Sequence, residues 1–275
     1  MKISASSKRS SLKFFVLVFL LAIPLWLLSA IIGNIATLKV PVTDLALAFM
    51  PLTAAAILVY KEEGLGGVKM LFKRIFDYKR IRQKIWYLPL IFLMPIIYLL
   101  VFGVMRLIGD NAVADNHLLM LPFFFVLFFI LAAGEETGWM GYAIDPLQDR
   151  WGALKGSLIL AIPWWIGHFP SIIHIGGTIA DLAWWLPGAI ALRILIVWIY
   201  NNTGKSLFAA IFFHALINAG RFISFPSAGS HYNKTYQAVG YLIITITALI
   251  VTFLWDPKTL TRESRVKKYM NQILN

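Results

Sequence analysis

Long apolar runs restrict the fold of this chain more than any other feature of its sequence. A helix needs about 20 consecutive apolar residues to cross a bilayer, and its backbone groups must be hydrogen-bonded internally when lipid surrounds them. The sequence therefore predicts an all-α polytopic integral membrane protein, a bundle of about eight transmembrane helices. The expected spans are 13–33, 42–60, 86–107, 118–138, 154–174, 182–200, 204–222 and 237–255.

Composition supports the same class and predicts one domain. Of the 275 residues, 59% are hydrophobic and 14% are charged, whereas a soluble domain has about 25% charged residues. We expect a single membrane domain over 1–275, because no linker or internal repeat divides it. The first apolar run is longer than a signal-peptide core of about 7–15 residues, so it should remain as an anchor. The absence of cysteine excludes disulfides, thiol nucleophiles and thiolate metal sites.

The net charge of +12 is best explained by membrane topology. If the N-terminus is cytoplasmic, 20 Lys and Arg residues fall in inside segments and 4 fall outside. The positive-inside rule then predicts that both termini are cytoplasmic, in the plasma membrane if the cell is bacterial. Basic residues in the segment at about 61–85, which looks amphipathic, and in the tail at 256–275 would face the lipid bilayer rather than nucleic acid.

Two adjacent carboxylates, Glu135 and Glu136, follow a run without charged residues. Ionised groups next to hydrocarbon are costly, so such a pair indicates a functional site. A cap at a wet interface is the alternative. Neighbouring helical residues point about 100° apart, so both glutamates can border a cavity but should not face the same atom. We expect them in the cytoplasmic half, because the fourth span should end at about 138.

Other polar residues lie inside later spans. His214 and Asn218 are four residues apart and share one helical face, and His168 lies within the fifth span. Ordinary packing or hydrogen bonding between helices would also explain them. Arg193 lies in the sixth span, either extending to the inner surface or serving as a fixed counter-charge for a glutamate.

These residue types suit hydrolysis by activated water. A glutamate can accept a proton from water and a histidine can orient that water, while a second histidine and an asparagine can stabilise the oxyanion. The same groups could bind a divalent metal such as zinc, and spacing does not decide between the two. The residues also allow an ion-coupled carrier, because intramembrane Glu and His residues mark proton relays as well.

Three motifs in separate spans resemble the CAAX-protease and bacteriocin-processing family of intramembrane endopeptidases. They are Glu-Glu-x-Gly-Trp-x-Gly-Tyr at 135–142, Trp-x-x-x-His at 164–168 and His-x-x-x-Asn at 214–218. The resemblance covers about residues 115–220, the expected catalytic core. It implies cleavage of a membrane-anchored peptide or protein, with prenylated C-termini and bacteriocin precursors among the candidates.

The resemblance also implies roles for the site residues. Glu135 and His168 would activate water, His214 and Asn218 would form the oxyanion side, and Glu136 would be a structural or electrostatic partner. If the enzyme is a metallopeptidase, as the family is often called, Glu135, His168 and His214 would be the ligands.

One position departs from the family pattern: Met140 stands where an arginine is usual. We hypothesise that Arg193 supplies the missing charge to Glu136. The departure keeps open a catalytically silent member that serves as an immunity or scaffold protein.

Overall fold

The computed structural model describes residues 9–32, 34–35, 40–41, 43–109, 117–174, 176–224 and 234–262. Helices account for nearly all of this part of the chain, and a two-residue antiparallel pairing joins β1 (Asn34–Ile35) to β2 (Val40–Pro41). The helices are α1 (Ser11–Ile32), α2 (Asp44–Leu47), α3 (Met50–Lys73), α4 (Tyr87–Leu107), α5 (Leu121–Gly138), α6 (Ile144–Trp151), α7 (Ala153–Gly167), α8 (Phe169–His174), α9 (Ile179–Asn202), α10 (Leu207–Ser224) and α11 (Lys234–Leu254).

The predicted membrane fold is confirmed. Seven helical stretches are long and apolar enough to cross a bilayer, and the shorter apolar helix α10 corresponds to the predicted span at 204–222. The chain is therefore an integral multi-pass membrane protein. The cytoplasmic position of both termini stays a prediction.

Helix α9 occupies the centre of the bundle and packs against α7, α10 and α11. In its most apolar stretch 72% of the residues are buried, against at most 33% in the other six candidate spans. A side chain near the middle of α9 is consequently shielded from both lipid and water. Arg193 lies at this position and is fully buried.

The fourth span is longer than predicted. Instead of ending at 138, the helical path continues from α5 through a π-helical turn, Trp139–Ala143, into α6. The whole stretch, Leu121–Trp151, contains 31 residues. Glu135 and Glu136 therefore lie near its middle rather than at its end. A π turn changes the direction of the side chains around it and is frequent at functional sites.

Two glycines flank the glutamates and bring α3 close to α5. A Cβ atom on Gly134 would lie 2.6 Å from the carbonyl oxygen of Ala48, and one on Gly138 would lie 2.4 Å from that of Pro51. Small residues four apart allow such close helix packing in membranes. A larger residue at either position would therefore push α5 away from Pro51 of α3 or from Ala48, which precedes α3.

The basic segment at 61–85 is attached to the bundle. Helix α3 bends at Gly64, which has φ 71°, and three 3₁₀ turns follow at Arg74–Phe76, Tyr78–Arg80 and Lys84–Trp86. Arg74 points inward and donates to the hydroxyl of Tyr200 at 2.8 Å and to the carbonyl of Lys205 at 3.2 Å. The position of this segment on the cytoplasmic leaflet stays a prediction.

Candidate active site

Four elements of the bundle contribute the polar residues that the sequence singled out. They meet around the middle of α9, where a tryptophan of α7 touches several of them. The contributing residues are Glu135 and Glu136 of α5, His168 at the end of α7, Arg193 of α9, and His214 and Asn218 of α10.

Arg193 and Glu136 form an ion pair at the centre of the protein. The Arg193 Nη1 atom donates to both carboxylate oxygens of Glu136, at 2.8 and 2.9 Å, and neither side chain is exposed. The guanidinium lies 4.1 Å from the ring centroid of Trp164, a cation–π geometry. The contact that the Arg193 hypothesis requires is thus present, while Met140 is fully buried in the neighbouring π turn.

Glu135 has a different environment from its neighbour. Its Oε2 atom accepts a hydrogen bond from the indole Nε1 of Trp164 at 2.8 Å and lies 4.0 Å from Nη2 of Arg193. The side chain is 15% exposed. The two carboxylates therefore face different nitrogens of one guanidinium, as the 100° separation predicts, but only Glu135 is accessible.

His214 completes the buried cluster. Its Nδ1 atom lies 2.7 Å from Oε1 of Glu136. An ionised carboxylate only accepts hydrogen bonds, so Nδ1 carries a hydrogen. The second ring nitrogen, Nε2, remains for an interaction elsewhere. Glu136 thus joins Arg193 and His214 into one network.

His168 is oriented by the backbone of its own helix. Its Nδ1 atom lies 2.8 Å from the carbonyl oxygen of Trp164, which can only accept, so Nδ1 is the donor. In the neutral ring Nε2 then carries the lone pair and can accept a proton. The imidazole packs edge to face on Trp164 and Trp185, with ring centroids 5.0 and 4.8 Å apart.

Two cavities meet at these residues. One, of about 250 Å³, is mostly apolar and lies between α1, α2, α3, α5 and α7; the other, of about 100 Å³, lies between α4, α9, α10 and α11. Four residues line both cavities: Glu135, Trp164, His168 and Asn218. His214 lines only the second, whereas Glu136 and Arg193 line neither.

The wall of the larger of these two cavities reaches Asp44 and Ser171, which are joined by a hydrogen bond of 2.8 Å. From the sequence we expect a hydrated cavity that opens toward the cytoplasm or the inner leaflet. Asp44 and Ser171 lie near span ends that the predicted topology places outside. Because that topology is itself a prediction, the side on which the cavity opens stays a prediction.

The residues that could bind a metal differ from the predicted set. Ligand atoms of Glu135, Glu136 and His214 lie within 4.8 Å of one another, so Glu136 replaces His168. These ligand types suit a divalent cation. However, both oxygens of Glu136 already accept from Arg193, and a cation here would lie next to a guanidinium. The arrangement therefore fits a metal poorly, and the mechanism proposed below uses none.

Trp164 belongs to the sequence motif at 164–168, but no role was predicted for it. Its indole nitrogen donates a hydrogen bond to Glu135, and its backbone carbonyl accepts one from the ring of His168. Its ring lies against the guanidinium of Arg193. The spacing of Trp164 and His168, four residues apart on one helical face, was the available signal.

Comparison with known proteins identifies the family. Residues 117–220 match the family model described as type II CAAX prenyl endopeptidase Rce1-like. The chain is also 31% identical over 184 residues to CAAX prenyl protease 2 of Methanococcus maripaludis, a match that covers 61% of this chain and 67% of that protein. The chain therefore belongs to the CAAX-protease and bacteriocin-processing family of intramembrane endopeptidases.

Proposed function

We propose that the protein hydrolyses a peptide bond of a membrane-associated substrate with water activated by Glu135 and His168. The observation that carries the proposal is that these two residues and Asn218 line both cavities where they meet. A peptide bond lying across this junction would have an acid–base pair and hydrogen-bond donors on its reacting carbonyl. The chain on either side of the bond would occupy one cavity each.

Glu135 acts as the general base in this mechanism. Trp164 holds one of its oxygens and Arg193 is 4.0 Å away, so the carboxylate is kept ionised and in one orientation. It can therefore accept a proton from a water molecule that attacks the scissile carbonyl. A positioned base of this kind contributes about 10²–10⁴-fold to the rate.

His168 orients the same water and passes a proton to the leaving amine. Because its Nδ1 donates to the Trp164 carbonyl, the free Nε2 atom can accept a hydrogen bond from water in the neutral ring. After protonation the same atom can donate to the amine. The backbone contact thus selects the tautomer that the step requires.

His214 and Asn218 stabilise the oxyanion. They lie on one face of α10 and both line the second cavity. With Nδ1 bonded to Glu136, His214 can donate from Nε2 when the ring is an imidazolium. Loss of one oxyanion donor costs about 10²–10³ in rate.

Glu136 and Arg193 are positioning residues. They line neither cavity, and they act on the reaction through His214 and Glu135. In the family pattern an arginine at position 140 would be expected, and here Arg193 on α9 occupies the contact with Glu136 instead. The replacement preserves the charge of the site, which supports an active enzyme over a catalytically silent member.

The larger cavity indicates the chemistry of the substrate. Its wall is mostly apolar and includes Phe124, Leu127 and Phe128 of α5, so it suits a hydrocarbon group next to the cleaved bond. The relative in Methanococcus maripaludis is named a prenyl protease. We therefore place a prenylated peptide ahead of a bacteriocin precursor as the substrate, and an immunity role would follow from the same cleavage.

Cleavage of a farnesylated peptide by the full chain in lipid nanodiscs tests the proposal. We expect products with the wild type and with the control Glu63→Gln, a glutamate that is paired with Arg9 and lines neither cavity, and a large loss with Glu135→Gln. Mass spectrometry of membrane peptides from cells carrying the same three proteins would identify other substrates. Equal turnover by wild type and Glu135→Gln would refute the mechanism.

If the protein were an ion-coupled carrier, the same preparations should take up protons and should not cleave the peptide. Proton-dependent uptake into vesicles that requires Glu135, without cleavage of any peptide, would identify the site as a proton relay. The paired cavities that meet at Glu135 would then form a transport path.

A further inference from the structure

A third cavity, with a different chemistry, lies away from the candidate active site. It has a volume of about 1320 Å³ and is located where α4 begins and where α9 and α11 end. None of Glu135, His168 and His214 lines it. We call it the basic cavity, and its lining includes Lys79, Arg80, Arg82, Trp198, Trp255 and Arg262.

We propose that the basic cavity binds the phosphate headgroup of an anionic phospholipid. Four cations line it, and Asp77 is its one carboxylate among the described residues. The Oδ1 atom of Asp77 accepts from Ser206 Oγ at 2.8 Å and from the backbone of Phe208 at 3.1 Å, and its Oδ2 atom lies 3.8 Å from Nε of Arg80. One carboxylate thus faces four cations within the described chain, so the cavity keeps an excess of positive charge that an anion complements.

Aromatic rings form part of the cavity wall. The indole rings of Trp198 and Trp255 both line the cavity and pack edge to face at 5.3 Å. The guanidinium of Arg262 lies 4.6 Å from the ring centroid of Trp255, a cation–π geometry. The wall therefore places positive charge beside a flat apolar surface, as an amphiphilic anion requires.

The surroundings favour a lipid over a soluble phosphate. Phe76 and Ile85 on the rim are 66% and 63% exposed, so hydrocarbon chains can lie against them while the headgroup enters the cavity. Tryptophans at helix ends are typical of the membrane–water interface. The cavity also lies at the end that the positive-inside rule places in the cytoplasm, where basic pockets between helices bind anionic headgroups.

The chain's own tail carries no excess of negative charge. Residues 263–275, which lie outside the described part of the structure, contain one acidic residue, Glu263, and three basic residues, Arg265, Lys267 and Lys268. The net charge of this segment has the same sign as that of the lining, whereas a phosphodiester has the opposite sign.

Native mass spectrometry of the full chain with phosphatidylglycerol and phosphatidylcholine tests the proposal. The variant carries Lys79→Gln, Arg82→Gln and Arg262→Gln. The control carries Lys61→Gln, Lys69→Gln and Lys73→Gln, three exposed basic residues of α3 outside the cavity, so the net charge changes equally. All six side chains are exposed, so both proteins should fold.

We expect the wild type and the control to retain phosphatidylglycerol and the variant to lose it. Each cation near an anionic lipid contributes about fivefold in affinity, so neutralising three should weaken binding by about a hundredfold. Equal loss in variant and control would overturn the proposal, because binding would then reflect surface charge alone. Retention by the variant would overturn it as well.

A second measurement distinguishes binding of a lipid from binding of a soluble phosphate. Glycerol 3-phosphate and inorganic phosphate are added to the wild type in phosphatidylcholine nanodiscs, and the melting temperature is measured. We expect no change, whereas phosphatidylglycerol should raise it. Stabilisation by the soluble phosphates equal to that by the lipid would overturn the assignment to a lipid.

Discussion

Arg193 in the centre of the bundle and Lys79 at the basic cavity carry the same charge in opposite settings. Arg193 is fully buried, and its Nη1 atom is bonded to both oxygens of Glu136. Lys79 is exposed and lines open space together with other cations. A buried charge cannot return to water when its partner is removed, whereas an exposed one is solvated at little cost. We therefore expect substitutions of the central charges to change folding and catalysis, and substitutions at the basic cavity to change binding.

The largest loss of activity should follow substitution of the two histidines at the centre. The two residues differ in how much they also contribute to stability. His168→Ala should reduce peptide cleavage by about 10²–10⁴-fold. It should lower stability by about 1–3 kcal/mol, because one hydrogen bond to a backbone carbonyl and the ring contacts with Trp164 and Trp185 are lost. His214→Ala should reduce cleavage and also weaken folding, since it removes a partner of buried Glu136.

Cleavage rates and melting temperatures of both variants in the same nanodiscs check this difference. Normal membrane insertion should be retained in each. If both variants cleaved the peptide at the wild-type rate, the assignment of the two rings to the reaction would be wrong.

Removal of the central cation should produce the largest change in stability. Arg193→Met leaves Glu136 buried without its main partner, which costs about 3–5 kcal/mol. The matched control is Lys205→Met, since Lys205 pairs with Asp145 at 2.9 Å with 45% of its side chain exposed, and we expect a loss of about 0–1 kcal/mol there. Denaturation in detergent measures both. Similar stability of the two variants would contradict the distinction between central and peripheral charges, and intact activity of Arg193→Met would refute its role in the site.

A change that adds one methyl group beside the glutamates tests how tightly the centre is packed. Gly138→Ala would bring Cβ within 2.4 Å of the Pro51 carbonyl, whereas Gly103→Ala meets no atom within 4 Å. We expect a loss of about 1–3 kcal/mol for the first and no loss for the second. Thermal unfolding of the two proteins, which differ from wild type by the same group, provides the measurement. Equal stability would show that α3 moves away from α5 without cost.

Neutralising the basic cavity should barely affect the folded state when no anionic lipid is present. The combination of Lys79→Gln, Arg82→Gln and Arg262→Gln should change stability in phosphatidylcholine by about 0.5 kcal/mol or less per substitution. The side chains are exposed, so no buried partner is left unsatisfied. A loss comparable to that of Arg193→Met would mean that this end is a structural core and not a binding surface.

Removing divalent metal should not change the rate of peptide cleavage at the central site. Because Arg193 already balances Glu136, we expect cleavage to persist after dialysis against a chelator. The assay is the peptide cleavage described above, with zinc added back as the control. Loss of activity that zinc restores would show that Glu135, Glu136 and His214 rearrange around a metal.

The sequence alone determined which segments form helices and which polar residues are candidates for the site. It did so through its hydrophobic periodicity and through the cost of burying charge. Eight apolar runs specified the helices, and polar residues inside those runs identified Glu135, Glu136, His168, Arg193, His214 and Asn218 as the residues to examine. The motif pattern specified the family. Spacing along one helix gives the angle between its side chains, which is why the separation of the two glutamates could be predicted.

Tertiary structure decided which partner each of these side chains meets. The rotation of one helix against another is not encoded in spacing, so the cluster of Glu136 with His214, the link through Trp164 and the apolar cavity beside Glu135 required the fold. The π turn that lengthens the fourth span had no periodic signal either. Packing of α9 at the centre makes Arg193 a buried counter-ion, because it removes water from a charge that the sequence could equally have placed at the membrane surface.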